Sequence, residues 1–334
     1  MKNILKVAIF VCLLSACSLD TKIDCPYQLS NRKNCYNNSL LDLLNRVSES
    51  YKDGVMLLAD GGEGSGQEGE TSDEEQGGTS DGDSGDGSGT PNENVVFRND
   101  AIGFATGFTF AGCEGALVGT VLAPGIGTVT GAIADKLIVG LSTGLVASVV
   151  AARVENEEAA LEKDNNGESN DWVKDFSCEF LFPEDMLGAN IGYYHNWLIS
   201  NLWMETGDDI HGVETEYILT TTIRLLEENG IVQFNDVSSF NLEASLICAN
   251  FQNFSEVSFA DVLGEYCEVI YLYLTEFYAV SSEYRQQFTS DFMDVIAGYG
   301  LSDEITLLLN GTISTYYYSS VLWNTDAIYL KGYE

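Results

Sequence analysis

The sequence predicts an all-α protein built from a glycine-zipper helical hairpin and a C-terminal multi-helix domain, which a disordered acidic linker joins to the N-terminus. Three observations predict this architecture. Apolar residues recur at helical spacing in most segments, the alternation typical of strands is scarce, and a stretch rich in Gly, Ser and acidic residues interrupts the apolar pattern. At 334 residues, the chain is long enough for one or two folded units.

The charge of the chain argues against several classes of function. It carries 51 Asp and Glu against 15 Lys and Arg, a formal net charge of -36. Nucleic acid is not an expected partner, because phosphate backbones are bound by clustered Lys and Arg. Attraction to anionic lipid headgroups is disfavoured for the same reason. Since the chain has 2 His, there is little room for a His-based metal or proton-transfer site, and neither a cofactor nor a metal is predicted.

The N-terminal end has the features of a signal peptide. Lys2 and Lys6 form a short basic start, residues 7–14 are an apolar run, and two small residues follow. The apolar run is too short to span a hydrocarbon core of about 30 Å. Residues 1–16 are therefore expected to be removed and not to anchor the chain.

The run Leu14-Ser15-Ala16-Cys17 resembles the lipobox of bacterial lipoproteins. The resemblance implies cleavage before Cys17 and attachment of a diacylglyceride to its thiol, so that membrane lipid becomes a partner of the chain. In Gram-negative lipoproteins, an Asp directly after the lipidated cysteine retains the protein in the inner membrane. Here that position holds Ser18. This implies an outer-membrane or cell-surface location in a Gram-negative organism. The alternative is an ordinary signal peptide, in which Cys17 has no special role.

Of the 8 cysteines, six remain once Cys12 leaves with the signal peptide and Cys17 carries lipid. An oxidising envelope permits disulfides between them. Cys25 and Cys35 are near enough in sequence to close a small loop within the N-terminal segment, residues 17–59. In the C-terminal part, one pair with one thiol left over is expected among Cys178, Cys248 and Cys267.

Residues 60–94 form the acidic linker. They contribute 11 acids and no base, and they are mostly Gly, Ser, Thr, Asp, Glu and Gln. Such a segment cannot bury enough apolar surface to offset the entropy of ordering it, so a flexible, self-repelling tether is predicted. Its acidic run at 81–87 lacks the Gly and the Glu that an EF-hand loop places at its sixth and twelfth positions, so no calcium site is predicted.

Residues 95–154 are predicted to form the helical hairpin. Between residues 101 and 134, Glu114 is the only charged residue, and Pro124-Gly125-Ile126-Gly127 breaks the stretch as a tight turn does. Two helices follow from this, at about 100–122 and 128–154. Each is long enough to cross a hydrocarbon core of about 30 Å.

Small residues recur at every fourth position in the two predicted helices. Interior glycine costs a helix about 0.5–1 kcal/mol per residue, so such a row indicates close backbone approach, as in the small-xxx-small packing of membrane helices. The stretch 115–132 is similar to glycine-zipper segments of bacterial outer-membrane lipoproteins and of some membrane-active bacteriocins. The resemblance implies a hairpin that packs in the membrane or self-associates as a homo-oligomer. The alternative is a tight hairpin buried under the C-terminal domain. The helix-packing residues are Gly103, Gly107, Ala111, Gly115, Gly119, Gly127, Gly131, Gly140, Gly144, Ser148 and Ala152.

Between residues 101 and 152, the hairpin carries three charges. If the turn is centred near residues 124–125, facing residues have numbers that sum to about 249 or 250, and Glu114 faces Lys136. In a bilayer both would lie near the midplane, where an unpaired charge is costly. A Glu114–Lys136 contact is therefore predicted, with Asp135 on another face toward water or a neighbouring copy. In the buried-hairpin alternative, all three are solvated.

A connector at 155–170 leads to an aromatic-rich helical domain at 171–334. Tyr316-Tyr317-Tyr318 cannot all face inward on one helix, so some ring surface is expected to be exposed or to meet a partner. Ser302 is a predicted helix start. Apolar positions recur at helical spacing in residues 186–204, 213–228, 240–251, 259–280, 282–297 and 303–323.

No catalytic residue is predicted. His195 lies among aromatic residues and His211 lies among acids, and Ser200 or Cys178 could supply a nucleophile, but ordinary composition provides such a set by chance. A buried, hydrogen-bonded His195 is the favoured interpretation. The chain has no nucleophile elbow, phosphate-binding loop, dinucleotide fingerprint or H-E-x-x-H motif.

These observations predict a non-enzymatic lipoprotein of the outer membrane or cell surface. Its hairpin packs in the membrane or self-associates, and its helical domain binds an unknown protein partner. The alternative is a surface-delivered, pore-forming toxin of the bacteriocin type, in which Glu114, Asp135 and Lys136 line the pore. A weaker alternative is a hydrolytic lipoprotein that uses His195.

Overall fold

The computed structural model describes residues 28–52, 95–111, 118–162, 179–207, 213–234 and 257–323. Side chains are described at 39–52, 96–111, 120–151, 179–207, 213–233 and 257–323. This part of the chain is mostly helical, which confirms the predicted fold class in its coarse form. The predicted signal peptide, the predicted lipidation site and the predicted acidic linker lie outside the described residues.

The described helices follow one another along the chain, joined by connections of very different length. Two of their starts have local sequence causes: Ser258 caps a helix by accepting a hydrogen bond from the Asp261 amide at 3.2 Å, and Ser302 accepts one from the Ile305 amide at 3.3 Å. Turns of 3-10 helix lie at Gly264–Tyr266 and Ser282–Tyr284. The α-helices are α1 (Gln28–Lys52), α2 (Val95–Phe110), α3 (Ala132–Glu162), α4 (Ile191–Thr206), α5 (Thr215–Glu228), α6 (Phe259–Leu263), α7 (Cys267–Ala279), α8 (Arg285–Gly298) and α9 (Asp303–Trp323).

A small antiparallel sheet lies between α2 and α3, where the sequence predicts the ends of two helices. Its strands are β1 (Val118–Ala123), β2 (Gly127–Thr130) and β3 (Val232–Phe234), in the order β2-β1-β3. The predicted helices at 100–122 and 128–154 are therefore wrong at the ends that meet the turn. The first helix ends at Phe110 and the second begins at Ala132.

The composition of the turn region explains this difference. Thr and Val dominate both strands, and their branched side chains favour strand over helix. Gly125 and Gly127 have φ angles of 73° and 92°, which place the turn in the left-handed region that glycine tolerates. The register pairs Thr120 with Thr130 and Val121 with Val129, as expected for a reversal at the predicted turn.

The helices α2 and α3 lie at the centre of the fold. Helix α2 packs against α3 on one side and against α9 on another, and α4 and α5 also contact α3. Buried residues of all these helices belong to one hydrophobic core cluster. The hairpin segment and the aromatic-rich segment therefore share a core.

Helix α9 is buried over almost its whole length, from Thr306 to Ser320. Tyr316, Tyr317 and Tyr318 are all buried, so the expectation of exposed ring surface is wrong. The expectation assumed an amphipathic helix, but α9 is surrounded: α2, α4, α7 and α8 all contact it. Its three consecutive rings therefore each find neighbours, including Phe97, Phe182 and Phe277.

Helix α1 attaches the N-terminal segment to the same core. Leu40 and Leu44 are buried. Near the end of the helix, Tyr51 donates a hydrogen bond to Asp291 of α8 at 2.5 Å, and Lys52 forms an ion pair with Glu276 of α7 at 2.7 Å. The chain thus enters the acidic linker from a packed helix, and it returns to the core at the start of α2.

Candidate functional site

The contact between α2 and α3 is formed by residues of the predicted small-residue rows. A Cβ atom on Gly103 would lie 2.7 Å from the Cβ of Ala147, and one on Gly107 would lie 2.5 Å from the Thr143 hydroxyl and from the Val139 carbonyl. Cβ atoms in proteins essentially never come this close to another heavy atom, so the two helix backbones leave no space for a methyl group. The glycines are used for close packing inside one chain.

The same interface continues on α3, where aromatic rings pack against the small residues. A Cβ atom on Gly140 would lie 3.0 Å from the ring of Phe104, and one on Gly144 would lie 3.2 Å from the imidazole of His195. Gly140 and Gly144 are therefore covered by side chains of α2 and α4. In this conformation their row does not face a membrane or a second copy of the chain.

Two glycines outside the predicted rows serve the same purpose. A Cβ atom on Gly311 of α9 would lie 2.6 Å from the Phe104 ring. On α4, a Cβ atom on Gly192 would collide with the backbone of Ser314, whose hydroxyl accepts a hydrogen bond from the Gly192 amide at 2.9 Å. Sequence reasoning missed both glycines because neither belongs to a spaced row.

The remaining predicted packing residues have other surroundings. Gly127 and Gly131 belong to the strand β2 and the turn after it, with φ angles of 92° and 62°. Ala111 is partly buried at the end of α2. Gly119 is in β1 and Ala152 is in α3, but their side-chain surroundings are outside the described residues, as is Gly115 altogether.

The charges of the hairpin are held at the start of α3. Lys136 donates a hydrogen bond and forms an ion pair with Glu304 of α9. Asp135 is buried in the first turn of α3, where the helix dipole favours an acid. Glu114 lies outside the described residues, so its contact with Lys136 stays a prediction.

A fully buried polar cluster joins four helices beside the glycine interface. Ser148 of α3 donates a hydrogen bond to the Asp100 carboxyl of α2 at 2.5 Å, and Ser319 of α9 donates to the other carboxyl oxygen. The Ser148 oxygen lies 3.1 Å from Nε2 of His195 on α4. His195 Nδ1 lies 3.2 Å from the side-chain oxygen of Asn196, whose amide donates to the Tyr318 carbonyl at 2.7 Å. We call Asp100, Ser148, His195 and Ser319 the buried polar cluster.

The position of His195 agrees with the favoured interpretation of a buried, hydrogen-bonded residue. Burial lowers the pKa of His195 to about 4, and its contacts with Asn196 and the Gly144 carbonyl oppose this shift only in part. The imidazole is therefore neutral near pH 7. Asp100 and Ser148 were missed as its partners, because one lies before the apolar stretch and the other belongs to a small-residue row.

The cluster has the residue types of a hydrolytic site but not its accessibility. Asp100, Ser148 and His195 are all buried from solvent, and a substrate has no path to a buried hydroxyl in this conformation. Ser200, the nucleophile considered from the sequence, is also buried. Cys178 and His211 lie outside that part.

The cysteines and acids give no metal centre in the residues that the structure describes. Cys267 is a free and partly exposed thiol. Cys25, Cys178 and Cys248 lie outside the described ranges, and Cys35 is described only as part of the α1 backbone. Within these ranges no group of three His, Cys, Asp or Glu side chains could hold a metal ion.

Part of helix α3 meets the length and composition expected of a membrane span. Ala132–Ala151 has a mean hydropathy of 1.7, and 83% of its most apolar window is buried inside the protein. A core helix of a water-soluble protein has the same properties. Burial in the chain itself is what the buried-hairpin alternative expects.

Comparisons with other proteins add no assignment. No protein family, no curated protein and no solved structure matches the chain. Its function is therefore argued from its own residues.

Proposed function

We propose that this protein is a non-enzymatic lipoprotein of the outer membrane or cell surface, anchored by lipid on Cys17, whose folded helical part binds a protein partner. The observation that supports this proposal is the burial of α3 by helices of the same chain. A protein whose one described helix of membrane-spanning length and composition is already covered needs another means of membrane attachment. The lipobox supplies it.

The hairpin has a structural role in this proposal. Its small residues are packed against Phe104, Thr143, Ala147 and His195 of the same chain. In the folded state, the glycine zipper therefore cannot pack in a membrane or against a second copy. The architecture is then a glycine-zipper helical pair that forms the centre of the folded part, with the aromatic helices around it.

In this proposal, the predicted acidic linker is not the tether that joins the lipid to the folded core. Since α1 precedes it and packs on α7 and α8, the chain on both sides of the predicted linker belongs to the same core. The connection between lipid and core is the short segment 18–27. Extended chain reaches about 3.5 Å per residue, so the core lies within about 40 Å of the membrane surface.

Fractionation of a Cys17→Ala variant tests the lipid anchor. We expect this variant to move to the soluble fraction, because a buried hairpin cannot hold the protein in a membrane. Cys12→Ala is the matched control, since Cys12 leaves with the signal peptide, and this variant should stay membrane-bound. A Cys17→Ala variant that remains in the membrane fraction would show that the proposal is wrong and that another part of the chain inserts.

A membrane-active toxin is the second candidate. It is favoured by the length of the candidate membrane span in α3, 20 residues, which equals the length that crosses a bilayer core. In this candidate the folded protein stores the hairpin and releases it at a target membrane. Dye release from phosphatidylethanolamine and phosphatidylglycerol vesicles by the unlipidated Cys17→Ala protein tests it. If the vesicles release no dye at neutral or acidic pH, the toxin candidate is ruled out and the first proposal is unaffected.

A further inference from the structure

The dipeptide Asn229-Gly230 follows the last turn of α5 and lies at the surface. Both residues are exposed, as are Glu227 and Glu228 before them. Gly230 has a φ angle of 67°, and a Cβ atom on it would meet nothing within 4 Å, so the backbone has open space around it. The end of a helix opens at little cost, because few hydrogen bonds hold its last turn. This end of α5 therefore leaves its closed geometry more readily than the buried helices do.

An Asn-Gly pair is the asparagine sequence that most readily loses its side-chain amide in water. The backbone nitrogen of the glycine attacks Cγ of the asparagine, gives up its proton to water and expels ammonia, so that a cyclic succinimide forms. Glycine favours this ring closure because it has no side chain to hinder the approach. Water then opens the ring at either carbonyl and leaves aspartate or isoaspartate. In sum, water hydrolyses one amide to an acid and ammonia, and no other reactant is needed.

We propose that Asn229 is a site of spontaneous deamidation, and that its conversion weakens the pairing of β3 with β1. Two hydrogen bonds oppose the reaction in the closed geometry. The Asn229 side-chain amide donates to the Leu225 carbonyl at 2.8 Å, and the Gly230 amide donates to the Glu227 carbonyl at 2.9 Å. Opening of the last turn of α5 breaks both bonds and frees the Gly230 nitrogen to reach Asn229 Cγ. The rate of modification is therefore set by the opening of this helix end.

Another Asn-Gly pair, Asn310-Gly311 of α9, lies where such local opening is prevented. Asn310 is fully buried, and its side-chain amide donates to the Leu187 carbonyl at 2.9 Å. A Cβ atom on Gly311 would lie 2.6 Å from the Phe104 ring. The Gly311 nitrogen therefore reaches Asn310 Cγ only when the core unfolds, so folding should slow this site at least about a thousandfold. The third pair of the chain, Asn166-Gly167, lies outside the described residues.

Conversion of Asn229 changes the connection from α5 to β3. A carboxylate cannot donate to the Leu225 carbonyl, and its negative charge at the end of a helix opposes the helix dipole. Isoaspartate also lengthens the backbone by one carbon atom, directly before the strand. Ile231 follows Gly230, and its carbonyl accepts a hydrogen bond from the Leu122 amide of β1 at 2.8 Å. The Leu122 amide is therefore the group that reports the change.

Incubation of the full chain in mildly alkaline buffer, followed by peptide mapping with mass spectrometry, tests the site. The peptide that contains Asn229 should convert to aspartate and isoaspartate, while the peptide that contains Asn310 stays unmodified. In concentrated urea the two peptides should react at similar rates, because the unfolded chain protects neither. An Asn229 that reacts in urea but not in the folded protein would overturn the proposal. Equal conversion of Asn229 and Asn310 in the folded protein would overturn it also, because that result indicates reaction through global unfolding.

Amide hydrogen exchange of two variants tests the consequence for β3. Asn229→Asp reproduces one product, and the protection of the Leu122 amide should fall roughly fivefold, as expected for the loss of one hydrogen bond. Thr220→Asp is the matched control, because it adds the same charge at an exposed position of α5 away from the end of the helix, and it should keep the protection. An unchanged Leu122 amide in Asn229→Asp, or an equal fall in both variants, would contradict the proposed link to β3.

Discussion

Gly107 lies at a point where helix α3 leaves no room for a side chain. The nearest atoms to a Cβ at this position would be the Thr143 hydroxyl and the Val139 carbonyl, both at 2.5 Å. One of these is backbone, so relief requires the helices to separate. Packing of this kind explains why the chain tolerates glycine inside helices in spite of its cost to helix stability.

We expect Gly107→Ala to lower the free energy of unfolding by about 1–3 kcal/mol, the usual cost of overpacking a core. Urea unfolding followed by circular dichroism measures it. Gly298→Ala is the matched control: Gly298 is also helical, and a Cβ there would meet nothing within 4 Å. The control should leave the free energy unchanged or raise it by less than about 1 kcal/mol. Equal losses in the two variants would contradict the close-packing interpretation.

The start of α3 shows how an element is fixed by a partner far away in the sequence. Lys136 forms its ion pair with Glu304, at the start of α9. The lysine side chain is 17% exposed and the glutamate side chain is 43% exposed. Partial exposure screens such a pair, so its contribution is modest.

A double-mutant cycle of Lys136→Gln and Glu304→Gln should give a coupling energy of about 0.5–1 kcal/mol in unfolding experiments. Lys136→Gln with Asp303→Asn is the control cycle, because Asp303 adjoins Glu304 at the same helix start, and its coupling should be near zero. A third cycle, of Lys136→Gln with Glu114→Gln, tests the predicted hairpin contact between Glu114 and Lys136 in the same way. A larger coupling with Glu114 than with Glu304 would show that the pair with Glu304 is secondary.

At the scale of the whole molecule, α1 and the rest of the core behave as one body although the acidic linker lies between them in sequence. Leu40 and Leu44 enter the core, and Tyr51 and Lys52 add polar contacts to α8 and α7. A break in residues 60–94 removes a covalent connection but none of these contacts. The two parts should therefore stay together after cleavage.

We expect a glutamate-specific protease to cut first within residues 60–94, and the two fragments to elute together from a size-exclusion column. Leu44→Asp should separate them, since it introduces a charge at a buried position. The matched control is Leu43→Asp, because the neighbouring Leu43 is 40% exposed, and its fragments should still elute together. Separation of the wild-type fragments would contradict the docking of α1.

The turn region and α9 show why some elements could not be derived from the sequence. Strand β1 is extended by β3, through a hydrogen bond from the Leu122 amide to the Ile231 carbonyl at 2.8 Å. A partner so distant in sequence leaves no local signal. Likewise, a helix that is buried on all sides lacks the amphipathic pattern from which burial is usually inferred, so the positions of Tyr316–Tyr318 were mispredicted.

Local periodicity and composition are enough to predict a mostly helical chain, small residues at every fourth position, a reversal at Pro124–Gly125 and a histidine suited to burial. These follow from backbone preferences and the spacing of side chains along one helix. The contacts that these residues make are visible in the folded chain alone. The tertiary structure placed Phe104 and His195 over the glycines of α3, Glu304 beside Lys136, and Asp100 and Ser148 beside His195. Partners of this kind come from separate helices, and their selection depends on how the whole core packs.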